Sequence, residues 1–357
     1  MLKNVLILIA LIVAGCAQTQ KTAQQGEATK DAVYVSMIPS RGIDYETAIT
    51  TIAFGSCANQ DQPEPLWKDI SAANPDLFLF LGDNIYASTP TQKPIAEQYR
   101  KLDQIPEYRA IREQVPFLAT WDDHDYGLRD GGKDWQGKEA ARRDFINYWS
   151  YVRNSIPFEQ NGIYHAKVIG PKKKAVQVIM LDTRYFRSAL LEKPGNEGKA
   201  YDYLPNEEGT ILGDAQWNWL EEQLKKPASV RIIVSSIQMI ANEPKYEKWG
   251  NFPKERQRFF DLLKKTKAKN VVILSGDRHI ASIAKTQVKN YGDLYEITAS
   301  SINRANSFSD SDKEYIGAVY NKENFGLASI DWKKKKMQVE IRGFNNEVAN
   351  RIDIPLR

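Results

Sequence analysis

The stretch Trp121-Asp122-Asp123-His124-Asp125-Tyr126-Gly127 limits what this chain can fold into more than any other. Three carboxylates and an imidazole occupy four consecutive positions, directly after the apolar run Val115–Thr120. An unpaired buried charge is heavily penalised, so four ionisable side chains are not expected to enter a core together. A solvated turn does not need this density beside a tryptophan. The pattern fits a strand that ends at a site where a cation offsets crowded negative charge. The competing reading is a helix cap or a turn cluster.

Similar strand ends recur along the chain. Apolar runs at Thr51–Phe54, Asp76–Leu81, Val115–Thr120, Val230–Ile237 and Asn270–Leu274 read as strands, and Asp76–Leu81 is apolar enough to be buried on both faces. They finish at Cys57, Asp83, Asp123 with His124, Gln238, and Asp277 with His279. Helical patterns at Leu66–Ala73, Gln98–Gln114, Lys138–Val152, Ala215–Lys226 and Pro253–Thr266 separate them. A hairpin is expected over Ile163–Ile169 and Ala175–Leu181, and further strands at Leu294–Thr298, Gly326–Trp332 and Met337–Gly343. Leu191–Pro205 reads as a long loop. Ligands of α/β proteins gather at the carboxyl ends of strands, and five loaded ends are hard to produce by accident. His165 lies mid-strand without acidic neighbours and reads as structural.

Composition excludes some partners. Of 357 residues, 42% are hydrophobic and 26% charged, as in ordinary globular proteins, and the net charge of +4 is too small and dispersed to argue for nucleic acid. The lysine runs Lys172–Lys174 and Lys333–Lys336 sit between strand-like segments, as solvated hairpin turns would. Residues 1–15 carry Lys3 and then an apolar run too short to span a bilayer, which fits a signal peptide. They end in Val13-Ala14-Gly15-Cys16, which resembles the bacterial lipobox, with Cys16 as the lipidated first residue. An ordinary cleaved signal is the alternative. Residues 16–44 are expected to form a flexible tether and 45–357 a single domain, exported and held at a membrane by its lipid, and monomeric. Cys57, the second of two cysteines, then has no disulfide partner.

The blocks FGSC, LFLFLGDNIY, WDDHDYG, LDTRYFR and LSGDRH, in this order, resemble the PhoD-like (alkaline phosphatase D) branch of the calcineurin-like metallophosphatases. The resemblance implies an α/β sandwich of two mixed sheets flanked by helices, with the site at their common edge. Against the superfamily pattern, Cys57 replaces the first ligands, Asp83 matches the bridging carboxylate, and Asp123 stands at an asparagine ligand. His124 matches the catalytic histidine, with Asp125 or Asp122 to orient it. Gln238 is a weaker ligand candidate where a lone histidine is expected, and Asp277 and His279 replace a histidine pair. Cys57 with Tyr86 suggests iron (Fe3+) at the first site, and the oxygen-rich remainder suggests calcium or another hard cation at the second.

The implied function is hydrolysis of a phosphate ester, mono- or diester, by a hydroxide activated on a bridged metal centre. Arg278, then Arg184 and Arg129, are expected to contact phosphate, with Asn84 beside them. A metal-binding surface lipoprotein without catalysis is the rival.

Overall fold

A computed structural model of the chain describes residues 33–88, 93–195, 202–306 and 310–357. The signal segment, Cys16 and most of the expected tether lie outside the described residues.

Alternation along the strands builds the layers. In Leu77–Leu81, the leucines at 77, 79 and 81 face one way and Phe78 and Phe80 the other, and all five are buried. The leucines join Val178, Met180, Val230, Val234 and Leu274 in a core between two sheets. The phenylalanines face outward into a second core with Trp67, Tyr108 and Trp149 from the covering helices. Ile179, Ile233 and Ile273 do the same on the far side, under Gly213–Lys225 and Pro253–Thr266. The result is a four-layered sandwich of helices, sheet, sheet and helices.

Each sheet has six strands. The first runs in space Val348–Pro355, Lys336–Arg342, Phe325–Asp331, Thr51–Gly55, Leu77–Leu81, Phe117–Thr120, and the last three are mutually parallel. The second runs Ala281–Val288, Gly292–Ala299, Val271–Ser275, Val230–Val234, Val176–Met180, His165–Ile169, with the four inner strands parallel. Both sheets are therefore mixed, as the sequence implies, and their parallel strands deliver their carboxyl ends to one edge.

Several expected elements shift for identifiable reasons. The helical region Gln98–Gln114 is two helices, Ile95–Leu102 and Pro106–Gln114, because Pro106 lacks an N–H to continue the first and starts the second. The Lys138–Val152 pattern breaks at Trp149, whose φ of −88° and ψ of 63° leave the helical region. Within the expected loop Leu191–Pro205, Leu191–Glu192 pairs with Tyr203–Leu204. The tether boundary at 44 is too late. Tyr34 and Ser36 donate to the Asp103 carboxylate at 2.7 and 2.6 Å, and Ile38 is buried, so the domain already includes this segment. Both lysine runs lie at turns between antiparallel strands.

Candidate metal centre

The WDDHDYG stretch divides by position on one short helix, Asp123–Tyr126. All three aspartates are buried, contrary to the expectation that they could not enter together, because each has its own compensation. Asp122 precedes the helix and pairs with Arg184. Asp125 accepts from the N–H groups of Asp122 and Asn84, the Asn84 amide and the Tyr99 hydroxyl. These two therefore do the capping and tying that a turn cluster would do. Asp123 and His124, between them, point to the open edge.

There they meet the ends of other strands. One oxygen of Asp83, one of Asp123 and a ring nitrogen of His124 lie within 4.8 Å of one another, and so do donor atoms of Cys57, Asp83 and His279. Asp83 belongs to both sets. The Cys57 thiol lies 3.5 Å from an Asp83 oxygen and 3.2 Å from the Ser300 hydroxyl. The Tyr86 hydroxyl lies 3.0 Å from His279 Nε2 and 3.4 Å from Asp83. Its ring lies against that of His124, tilted by 35° with 4.0 Å between centroids.

The backbone is bent to make this possible. Cys57, Asp83, Asp277 and His279 all have φ between 49° and 67°, the left-handed region that costs a non-glycine residue about 1 kcal/mol or more. At Gly82, φ is 109° and a Cβ would come within 2.7 Å of Asp122 Cβ, so only glycine fits before Asp83.

Electrostatics set these groups apart. Burial, then neighbouring carboxylates, pushes the Asp83 carboxyl well above its ordinary range, and Asp277 likewise. Burial and Asp83 push the Cys57 thiol up. Burial holds His279 down at about 3. Asp123 goes the other way: burial opposes ionisation, but His124, Arg184 and the Asp130 N–H at 2.8 Å hold its pKa low. Its second oxygen is buried without a hydrogen-bond partner. A sulfur, two imidazoles and several carboxylates, crowded with one orphaned anionic oxygen, fit divalent or trivalent cations in both donor sets.

The sequence model of PhoD-like phosphatases matches residues 52–344. The chain belongs to the PhoD-like phosphatase family. Alkaline phosphatase D of Bacillus subtilis (strain 168) is 25% identical over 312 residues, 74% of this chain. The chain spans about half, 53%, of that curated relative's length. A solved structure of PhoD superposes with a TM-score of 0.69 at 18% identity, over 88% of this chain and 70% of that one. A purple acid phosphatase from yellow lupin (Lupinus luteus) seeds shares the fold at a TM-score of 0.59 and 10% identity, over 87% of this chain and 55% of that one.

Within this PhoD-like centre several expected roles change. Asp125 spends its oxygens on Asp122, Asn84 and Tyr99. Nδ1 of His124 is held instead by Ser88, 2.7 Å from its hydroxyl and 3.2 Å from its carbonyl. Arg184 is fully buried between Asp122 and Glu247, and cannot reach a substrate. Arg278 is buried too, paired with Asp310 and stacked on Tyr246 at 4.2 Å. Asn84 is buried, donating to Asp125 and to the Thr120 carbonyl. Gln238 donates to Thr298 and Tyr315 at 3.0 and 3.1 Å, and its amide oxygen is left without a partner. Asp277 adds its charge to the field at Cys57 and Asp83 but is in neither three-residue donor set. Arg129 is exposed, and its charge acts on both Asp123 and His124.

Ser88 and Arg304 escaped sequence reasoning. Arg304 lies over the Tyr86 ring at 5.2 Å, and its charge depresses both His124 and His279. The signal was available: Arg304 follows another parallel strand, Gly292–Ala299, past its carboxyl end. His165 is structural as expected, buried between the Ile163 carbonyl and the Tyr151 hydroxyl.

Proposed function

We propose that the protein is a metal-dependent phosphoric ester hydrolase whose reaction takes place where the two donor sets share Asp83. That sharing is the observation that carries the reading, because Asp83 would serve cations in both sets, and two such cations would together polarise one phosphoryl group. Cys57, Asp83 and His279 would hold one cation, with the Tyr86 phenol at hand. Asp83 and Asp123 would hold the other, with His124 alongside and Asp277 adding negative charge. Thiolate and phenolate suit iron (Fe3+), and the oxygen donors suit calcium. When bound, such a pair polarises phosphoryl oxygens and lowers the pKa of the attacking water.

The chain's own groups do the rest. Ser88 fixes Nδ1 of His124, so Nε2, 3.9 Å from Asp123, is the nitrogen available to the substrate. Burial, more than any neighbour, depresses the imidazole's pKa, while Asp123 and the Ser88 carbonyl oppose that loss and favour the protonated form that would donate to a departing oxygen. Arg304 and Arg129 bring positive charge to the same rim and replace Arg184 and Arg278 as partners for the phosphate. Lipidation at Cys16 would place this chemistry at a membrane surface after export, and a monomer suffices for it.

Turnover of p-nitrophenyl phosphate and its bis-ester by protein loaded with iron and calcium tests the reading. His124→Asn should lower turnover by roughly 10²–10⁴ while metal content holds. Metal-loaded protein with no turnover of either ester would leave a metal-binding protein without catalysis, and loss of metal in His124→Asn would make His124 a ligand instead of the acid.

A further inference from the structure

Beyond Asp123 the chain turns at Gly127 and returns to Asp130, whose N–H donates to Asp123 at 2.8 Å. Asp130 is fixed in turn by the Tyr203 hydroxyl at 2.7 Å and, at its carbonyl, by Arg187. These residues form one wall of a cavity of about 520 Å³ that begins one hydrogen bond away from a donor of the metal centre. Leu128, Trp135 and Leu190 give it apolar surface, and Leu128 remains 40% exposed. Arg129 also lines it, and its charge acts on both Asp123 and His124, so the hydrogen bond from Asp130 to Asp123 is the contact that sets the cavity beside the centre. The volume is that of an ordinary small-molecule pocket.

Its charge is selective. Arg187 is matched by Glu247 at 2.6 Å, so it offers little to an anion. Beside Arg129 the lining presents the carboxyl groups of Asp130, Asp134 and Glu192. A group carrying a second phosphate would meet an excess of negative charge here, whereas an uncharged or cationic group with an apolar face would not.

We infer that this cavity seats the alcohol half of the phosphate ester, and that it takes an apolar-faced, uncharged or cationic alcohol in preference to one bearing a second phosphate. The inference rests on the hydrolase reading and names the substrate class for that same site.

Two non-hydrolysable probes, 1-naphthylmethylphosphonate and methylphosphonate, test it by calorimetry on the metal-loaded full chain. The naphthyl probe should bind about tenfold tighter, the usual size of an apolar group in a pocket. Leu128→Ala, which removes apolar wall, and Ala189→Trp, which fills the cavity from an exposed position, should each cut that ratio to below about threefold. In turnover, the bisphosphate of hydroquinone should have a kcat/KM about tenfold below phenyl phosphate, and Glu192→Gln should narrow the gap. A naphthyl preference that survives both variants, or a bisphosphate hydrolysed as well as phenyl phosphate, overturns the assignment. Turnover of methyl phosphate with no naphthyl preference sinks this inference alone, whereas failure to bind or hydrolyse any of these compounds sinks the hydrolase reading with it.

Discussion

Asp122 and Asp123 are neighbours in the chain and belong to two buried polar clusters built on different plans. Asp122 joins Arg184, Glu247 and Arg187, where two guanidinium groups face two carboxylates and the charges close among themselves. Asp123 joins Asp83, Cys57 and two histidines, where acidic groups outweigh the protein's own cations. The first cluster is finished by folding. The second keeps its acidic excess, and the contrast separates the two clusters more clearly than burial does, since both are buried.

The largest expected effect breaks the second cluster at its shared member. Asp83→Asn should empty both donor sets and lower kcat/KM by at least ~10³-fold, because several kcal/mol of transition-state stabilisation depend on both cations, at 1.36 kcal/mol per factor of ten. Elemental analysis beside kinetics checks this; metal retained at two equivalents would show that Asp83 does not bridge.

Breaking the first cluster should instead cost stability. Arg184→Met leaves Asp122 buried without a guanidinium and Glu247 with that of Arg187 alone, which costs about 3–5 kcal/mol, and replacing all four members of the cluster by apolar residues should recover much of it. Urea unfolding of the single and quadruple variants decides; an Arg184→Met protein as stable as the parent would mean that the arginine is dispensable to the scaffold.

The pH dependence of metal-stripped protein sharpens the difference. With their pKa raised in the fold, Asp83 and Asp277 stabilise it only while protonated, fully below the unfolded value near 3.9 and less as pH rises towards their folded values. Asp125, pushed up to about 7 by burial, adds to the same trend. Buried His165 and His279, held at about 4 and about 3, pull the other way below their unfolded value near 6.5. The raised carboxyls, Glu64, Asp122 and Asp130 among them, outnumber them, so the stripped protein should be more stable at pH 5 than at pH 8, and metal should reverse the order because it needs deprotonated ligands. Melting curves at the two pH values, with and without chelator, measure it, and a stripped protein that gains stability with pH would contradict the account.

Ser88→Ala carries the smallest effect. Freed at Nδ1, His124 should lose its fixed orientation, and turnover should fall about tenfold, well short of the loss in His124→Asn. The metal content should not change; if kcat is untouched, Ser88 does not position the imidazole.

Much of this was legible in sequence because strands carry their address with them. Cys57, Asp83, Asp123 and His279 each end an apolar run, and parallel strands bring such ends together without further information. The errors share one physical origin. Adjacent residues in a tight turn or short helix diverge, so Asp125 and Arg278 lie beside site residues in the chain while their side chains serve the scaffold. Arg184 looks like a phosphate ligand until its two carboxylate partners, far away in sequence, are seen. Ser88 carries no motif and only the fold brings it to His124, whereas Arg304, over Tyr86, could have been found from its place past a strand end.

The two donor sets also differ in what they join. Asp83, Asp123 and His124 all follow strands of the first sheet, but the other set takes Cys57 and Asp83 from the first sheet and His279 from the second. A cation held by that set would be a cross-link between the two halves of the sandwich, the inorganic counterpart of a bridge across a very long loop. A ligand bound only by the folded chain adds about 4 kcal/mol at a thousand times its dissociation constant. Supply of that one metal would then govern how firmly the sheets are riveted together, while the other cation could come and go without loosening them.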